Sequence, residues 1–211
     1  WLHGKVTVVM NKPPGFVSNL PARGETEACT LITRSNARKP QNDGESRWDR
    51  SEDGADETSR WDEAEGGAYT LNVCGRLDKD SRGLLILTQD GALAKAIIGG
   101  NHVPKTYEVE VDRAVTGAHL DALNGPVSLE GVRLLPMHVT QLGPRLLQFV
   151  LREGKKRQIR RVCEGLELGV NDLFRVSVGG CDVGDLPEGG WRLMSEQERD
   201  GLRTFGGGGG G

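Results

Sequence analysis

The chain has 211 residues, of which 36% are hydrophobic, and its formal net charge at pH 7 is -3. This length is sufficient for one domain with a substantial hydrophobic core. The apolar runs are too short to cross a bilayer, so we expect an intracellular protein that does not bind membranes. The four cysteines form neither a CxxC pair nor a Cys/His cluster, which predicts free thiols and no metal site.

The first predicted element is a strand over 6–10, and a polar, acidic stretch follows at 34–68. That stretch holds ten acidic and six basic residues but almost no aliphatic ones, so it cannot build a core. We predict a disordered surface insertion whose only candidate anchors are Trp48 and Trp61. It interrupts one domain over 1–205, and the glycines of 206–211 are predicted to form a flexible tail.

Strands and a few short helices are predicted after the insertion. Runs rich in β-branched and aliphatic residues predict strands over 69–73, 84–88, 106–111, 132–141 and 146–152. Asp90, Thr116 and Ser195 are each placed to cap a helix, and Glu198 completes a capping box with Ser195. This pattern predicts an α+β fold with a large, mostly antiparallel mixed β-sheet flanked by a few helices.

A fourth helix is predicted after Gly154, beside the densest run of positive charge. Its apolar stripe at helical spacing consists of Ile159, Val162, Cys163 and Leu166. Six cations lie within ten residues and are opposed only by Glu153: Arg152, Lys155, Lys156, Arg157, Arg160 and Arg161. Such a density can bind phosphate where a helix begins, although a charge run is also typical of a solvated helix face.

Three motifs, together with two shorter matches, carry a resemblance to a known family. The motifs are NKPPG at 11–15, GRLDKDSRGLLILTQDG at 75–91 and EGKKRQIRR at 153–161, and the shorter matches are KTYEVEV at 105–111 and LFRVSVGG at 173–180. In this order they resemble the ribosomal pseudouridine synthases that work without a guide RNA. The resemblance implies the pseudouridine synthase fold and isomerisation of specific uridines in RNA, most naturally ribosomal RNA, without a cofactor or metal.

The resemblance assigns Asp78 as the catalytic carboxylate. The reaction must break the bond from N1 to C1′, rotate the uracil and join C5 to C1′. A carboxylate can add to the sugar or remove the C2′ proton, and the sequence leaves both routes open. Without the resemblance, an Asp in a turn between apolar runs is more typical of a local backbone cap.

The same resemblance assigns roles around a uridine that is flipped out of its helix. Tyr107 is expected to stack on the base, Arg160 to pair with Asp78, and Leu173 to pack beneath the base. Arg76 is expected to contact the RNA around the extruded nucleotide. Phosphate contacts are expected from Lys12, Lys155, Lys156, Arg157 and Arg161. By periodicity alone, Tyr107 is more typical of a core aromatic on a half-buried strand, and Leu173 is equally typical of an ordinary core residue.

Two features differ from compact bacterial members of the family. Many members carry a small N-terminal RNA-binding domain of the S4 type, whereas this sequence starts at Trp1, directly on the catalytic domain. We therefore expect a fragment, with part of the target affinity outside it. The acidic insertion favours a eukaryotic, organellar protein over a bacterial one, and we expect a monomer.

Three alternatives stay open at this point. A non-catalytic RNA-binding module would explain the basic helix but not the combination of Asp78, Tyr107 and Arg160. A glycoside hydrolase would use Asp78 and Asp80 as paired carboxylates, although the aromatic content of 5% is low for a sugar-binding enzyme. A synthase that acts on transfer RNA is the third alternative.

Overall fold

Nine strands form one mixed sheet within residues 5–38, 71–99 and 103–206, which are the residues that the computed structural model describes. They are β1 (Thr7–Lys12), β2 (Asn72–Cys74), β3 (Arg82–Thr88), β4 (Lys105–Val111), β7 (His138–Gly143), β8 (Leu146–Leu151), β9 (Val170–Val178), β10 (Cys181–Asp182) and β11 (Trp191–Leu193). A separate hairpin joins β5 (Ser128–Leu129) to β6 (Val132–Arg133).

The order along the main sheet is β11-β1-β3-β9-β4-β8-β7, with β2 paired to β3 and β10 paired to β9. Among these strands only β3 and β9 run parallel, which confirms the expected mostly antiparallel sheet. The parallel pair lies at the centre of the sheet. It therefore places the loop that precedes β3 next to the middle of the molecule.

Four helices flank this sheet in the described residues: α1 (Gly91–Ile98), α2 (Gly117–Asn124), α3 (Gln158–Glu164) and α4 (Glu196–Thr204). All three predicted caps are confirmed. The Asp90 carboxylate accepts two backbone N–H bonds from the first turn of α1, while Thr116 and Ser195 form capping boxes with His119 and Glu198. None of these helices is long and apolar enough to span a bilayer.

Most predicted strands are confirmed within the described residues, which omit 69–70 of the strand predicted over 69–73. One predicted strand is divided, and β5, β9, β10 and β11 were not predicted. The run predicted as one strand over 132–141 is divided between β6 and β7, and Pro136, which has no backbone N–H to donate to a ladder, lies in the gap. The nine residues of β9 were not predicted as a strand, because Arg175 occupies an inward position where an apolar residue would be expected. Yet β9 pairs with both β3 and β4.

The packed domain continues into the first residues of the predicted insertion. Residues Arg34–Asn36 form a 3-10 helix, Ala37 forms a β-bridge to Trp191, and the Arg38 N–H donates to the Trp191 carbonyl oxygen at 2.8 Å. Residues 39–68, including Trp48 and Trp61, and the tail at 207–211 lie outside the described residues. Disorder in those stretches therefore stays a prediction.

An apolar cluster on one side of the sheet supports the loop before β3. It contains Tyr107 and Val109 of β4, Leu173 of β9, Ile159 of α3 and Leu77 of the loop itself. The alternation predicted for β4 is confirmed, because Tyr107 and Val109 are buried while the glutamates between and after them are not. Burial of Leu77 in this cluster fixes the position of the residue that follows it, which is Asp78.

Gly83 permits the close approach of β3 and β9, so a side chain at this position should destabilise the fold. Its φ is +110°, and a Cβ at this position would overlap the Arg175 carbonyl oxygen and lie 2.7 Å from the Arg175 nitrogen. We expect Gly83→Ala to lower the free energy of unfolding by about 3 kcal/mol or more, because backbone atoms cannot move aside cheaply.

The matched control is Gly24→Ala. Gly24 has a similar φ of +83°, but no atom of the described residues lies within 4 Å of the new Cβ. Gly24→Ala should lower the free energy of unfolding by about 1 kcal/mol, which is the cost of a left-handed backbone alone. Urea unfolding followed by circular dichroism measures both values, and equal small losses would show that the two strands do not need this contact.

Candidate active site

The loop of residues 75–81 joins β2 to β3 and carries Asp78. The Ser81 N–H donates to the Asp78 carbonyl oxygen at 3.1 Å, which closes a turn. The Asp78 side chain is 36% exposed, lines an open depression and accepts no hydrogen bond from the described residues. Asp78 is therefore not a local backbone cap, and its partly exposed side chain lines the depression.

Lys12 holds this loop from below. It is fully buried, and its Nζ donates to the carbonyl oxygens of Ser81 at 2.7 Å and Pro13 at 2.9 Å. The Gly15 N–H also donates to the Lys79 carbonyl oxygen at 2.8 Å, so the NKPPG turn packs directly on the loop. The expectation that Lys12 contacts RNA is wrong for this structure, because backbone carbonyl groups occupy its ammonium away from the surface.

Two further residues that the sequence did not single out fix the same loop. The Ser18 Oγ donates to the Leu77 carbonyl oxygen at 2.7 Å and accepts from the Leu77 N–H at 2.8 Å. Arg175, only 1% exposed, donates to the carbonyl oxygens of Gly75 at 2.8 Å and Leu84 at 2.7 Å. An arginine at an inward position of a strand was the available signal for Arg175, whereas Ser18 gives none.

Arg157 is the cation that lies between the two carboxylates of the loop. It occupies the N-cap of α3 with φ +51°, and its guanidinium donates two hydrogen bonds of 3.0 Å to the Asp80 carboxylate. One of these nitrogens is 3.9 Å from Oδ2 of Asp78. In this structure the bidentate bond holds Arg157 at the loop, and its expected contact with phosphate stays a prediction.

Arg160 contacts the same loop but not Asp78. Its side chain is 13% exposed and donates to the Asp80 carbonyl oxygen at 3.2 Å and to the Ser81 Oγ at 3.4 Å. The Arg160 Nε lies 3.5 Å from Oδ2 of Asp80. The expected pair between Arg160 and Asp78 is thus not formed, because backbone and Asp80 acceptors, together with the Val170 carbonyl oxygen at 3.4 Å, take the guanidinium.

Asp80 gathers most of the positive charge beside the loop. Partial burial would raise the pKa of Asp80, but the hydrogen bonds from Arg157 and the charges of Arg160 and Arg157 outweigh it and hold that pKa below its ordinary value. Asp80 is consequently ionised at neutral pH. It keeps Arg157 beside Asp78 and Arg160 at the same loop.

A buried polar pair shapes the basic turn before α3. The Gln158 Oε1 accepts from the Lys155 N–H at 2.9 Å, and its Nε2 donates to the Glu153 carboxylate at 3.1 Å. Glu153 also accepts from the Leu135 N–H at 2.9 Å. This arrangement leaves Lys155 and Lys156 exposed and, within the described residues, without an ion-pair partner.

The remaining predicted residues fall into two groups. Tyr107 and Leu173, at 8% and 6% exposure, lie with Leu77 in the apolar cluster that supports the loop. Arg76 is exposed, and Arg161 pairs with the exposed Glu130 at 2.7 Å. The depression beside Asp78 has a volume of about 650 Å³ and is lined by Pro14, Gly15, Asp78, Lys79, Asp80, Lys156 and Arg157.

A family model for RNA pseudouridylate synthases matches residues 6–165, which include Asp78, Tyr107 and all the cations of the basic turn. The chain belongs to this family. A solved pseudouridylate synthase superposes on 96% of the chain and 75% of its own, with a TM-score of 0.72 and 22% identity, which confirms the pseudouridine synthase fold.

Two bacterial synthases give the measure of sequence similarity. The dual-specificity RNA pseudouridine synthase RluF of Escherichia coli (strain K12) is 34% identical over 125 residues, which are 59% of this chain and 43% of RluF. The ribosomal large subunit pseudouridine synthase E of Vibrio vulnificus is 36% identical over 140 residues, covering 57% of this chain and 60% of that enzyme. The matched part is about half the length of these relatives.

Because Lys12 is buried, we expect the free energy of unfolding to depend on pH through its ammonium group. Burial lowers the pKa of Lys12 from 10.5 to about 8, although the negative charges of Asp80 and Asp78 oppose the shift. Below pH 8 the folded and unfolded chains both hold this proton. Between pH 8 and 10.5 only the unfolded chain keeps it, so the Lys12 contribution to the free energy of unfolding should rise with pH.

Lys12→Met is the matched variant for that measurement. Urea unfolding at several pH values between 7.5 and 10 should show the free energy of unfolding of the wild type rising relative to that of Lys12→Met. All other titrating groups are common to both proteins and cancel in the difference. Two parallel pH curves would mean that Lys12 is not buried as a cation.

Proposed function

We propose that this chain isomerises uridine to pseudouridine in RNA, with Asp78 as the reacting carboxylate. The observation that carries this proposal is an accessible carboxylate on a rigid loop. The Asp78 side chain accepts no hydrogen bond from the described residues, while Lys12, Ser18 and Arg175 fix the backbone on both sides of it. A reacting group needs both properties, because it must reach the substrate without first rearranging.

The reaction requires little beyond a positioned carboxylate. The bond from N1 to C1′ breaks and the bond from C5 to C1′ forms, so reactant and product are isomers and no oxidant or water is consumed. Asp78 either adds to C1′ or removes the C2′ proton, and both routes require the ionised form. Arg157, whose nearest guanidinium nitrogen lies 3.9 Å from Oδ2, supplies a positive charge beside the reacting carboxylate.

Tyr107 and Leu173 supply the apolar surface on which a flipped base can rest. Both belong to the cluster that contains Leu77, the residue directly before Asp78. An aromatic ring and an aliphatic side chain stack on a base regardless of its hydrogen-bonding edge, so they allow the uracil to rotate after the glycosidic bond breaks. We therefore assign them to hold the uracil during rotation.

Exposed cations surround the cleft and suit an RNA backbone. Arg76, Lys155 and Lys156 are exposed, and Lys156 lines the depression beside Asp78. Arg161 can exchange Glu130 for phosphate, because Glu130 is 81% exposed and such a surface pair contributes about 1 kcal/mol or less. These four side chains would supply salt-dependent affinity without sequence information.

The names of the relatives favour ribosomal RNA as the substrate class. One relative is a dual-specificity RNA synthase and the other acts on the large ribosomal subunit, so we propose large-subunit ribosomal RNA for this chain. Both relatives are bacterial and lend no support to an organellar location. The glycoside hydrolase alternative is disfavoured, because the two arginines keep Asp80 ionised when a general acid would need a raised pKa.

The first test of the proposed function is Asp78→Asn. The change keeps the shape of the side chain and removes the reacting charge, so single-turnover isomerisation at saturating RNA should fall by at least about a hundredfold. Tritium release from RNA labelled at uracil C5 measures the rate. The dissociation constant for the same RNA, measured by filter binding, should change little.

Asp121→Asn provides the control, because Asp121 is an exposed aspartate on α2 that makes no contact with the loop. It should behave as wild type in both assays. An Asp78→Asn rate within tenfold of wild type would remove Asp78 from the chemistry. If the wild-type protein formed pseudouridine in none of the RNAs tested, the proposed function would be refuted.

A further inference from the structure

Leu20 is the most exposed large hydrophobic residue in the described part of the chain. Its exposure is 80%, and it belongs to none of the hydrophobic clusters. Its backbone lies in the left-handed region with φ +53°. That conformation is strained for a leucine and is more easily adopted by glycine or asparagine. Nothing in the packing of this loop requires a leucine here.

The loop that carries Leu20 is fastened on both sides of Asp78. Before Leu20, Ser18 bonds to both backbone groups of Leu77. After Leu20, the Glu25 carboxylate accepts from the Lys79 Nζ at 3.2 Å and, through its other oxygen, from the Ala22 N–H at 3.0 Å. Leu77 and Lys79 are the two neighbours of Asp78. Leu20 therefore belongs to a loop that is hydrogen-bonded to both residues that flank Asp78.

The charges around Leu20 indicate what it meets. Arg23 is exposed on the same loop, Arg76 and Lys79 are exposed on the loop of Asp78, and Lys156 is exposed across the depression. Glu25 and Glu27 of the same loop and the carboxylates of Asp78 and Asp80 are interspersed with these cations. An apolar tip among charged side chains does not suit another apolar protein surface. It suits a nucleic acid, in which the apolar faces of the bases lie between rows of phosphates.

We propose that Leu20 is a wedge that packs against the RNA bases next to the flipped uridine and holds the helix open. The inference rests on the proposed function, because a uridine within a helix must leave the stack before Asp78 can reach its sugar. Extruding a base leaves a gap, and leucine is among the side chains that proteins insert between base steps. Leu20 then has its role in the complex with RNA, which accounts for an exposed and strained leucine in the free protein.

Leu20→Asn tests the wedge, because asparagine removes the apolar tip and tolerates a left-handed backbone. The melting temperature should stay the same or rise. With a ribosomal RNA fragment in which the wild type forms pseudouridine, the single-turnover rate should fall about tenfold or more when the uridine lies in a helix. When the opposite strand is removed, so that the uridine is already unstacked, the rate should stay within twofold of wild type.

Two controls separate a wedge from a general effect of mutation. Leu20→Met keeps a long apolar side chain and should retain the wild-type rate on the helical RNA. Leu142→Asn changes another exposed leucine, 47% exposed near the end of β7, and should change the rate on neither RNA.

Equal rates of Leu20→Asn and wild type on the helical RNA would overturn the wedge while leaving the proposed function intact. An equal loss on both RNAs, or a lower melting temperature, would likewise overturn it in favour of a catalytic or a structural role. A wild-type protein that is inactive on every RNA would refute the proposed function and the wedge together.

Discussion

One cation, Arg157, lies beside both carboxylates of the partly exposed Asp78 loop, and this shared contact is the interaction on which the charge of the site depends. Arg157 is bound to Asp80 by two hydrogen bonds of 3.0 Å and lies 3.9 Å from Asp78. Ion pairs this exposed contribute only about 1 kcal/mol each. They can balance charge, but they cannot by themselves hold a loop in one conformation.

The position of the loop comes instead from buried hydrogen bonds to its backbone. Lys12 and Arg175 are buried cations that, among the described residues, donate only to carbonyl oxygens in and around the loop, and Ser18 bonds to both the N–H and the carbonyl oxygen of Leu77. A buried acceptor left unpaired costs about 1–3 kcal/mol, more than an exposed ion pair contributes. Buried hydrogen-bond donors therefore fix the backbone of the loop, whereas the partly exposed Arg157 balances the charge of its carboxylates.

The sequence was most informative where structure depends on neighbours in the chain. The caps at Asp90, Thr116 and Ser195 and the alternation of β4 follow from local spacing, and all are present. The resemblance of three motifs supplied the fold and the location of the site. The strand β9 escaped prediction, because the buried Arg175 breaks its apolar pattern and its bonding partners lie about a hundred residues earlier.

The sequence identified which cations lie at the site, but it did not predict which groups they contact. Lys12, Arg157 and Arg160 all lie at the loop of Asp78, yet Lys12 bonds to a carbonyl group 69 residues away and Arg157 to a carboxylate 77 residues away. Nothing in a run of basic residues distinguishes the member that turns inward from those that face solvent. That distinction is made by the left-handed backbone of Arg157 and by the buried Gln158 that follows it.

We propose that Arg157, held by Asp80, acts on the reaction at the loop of Asp78, whereas Lys156 belongs to the phosphate-binding surface. The direct measurement is the single-turnover rate at saturating RNA for Arg157→Gln, Asp80→Asn and the double variant, with Lys156→Gln as control. Each single change in the pair should slow the reaction, and the double variant should be no slower than the slower single variant, because one interaction is lost in all three. Lys156→Gln should weaken RNA binding and its salt dependence while leaving this rate unchanged. Additive losses from Arg157 and Asp80, or an Arg157→Gln variant that differs from wild type only in RNA affinity, would contradict the claim.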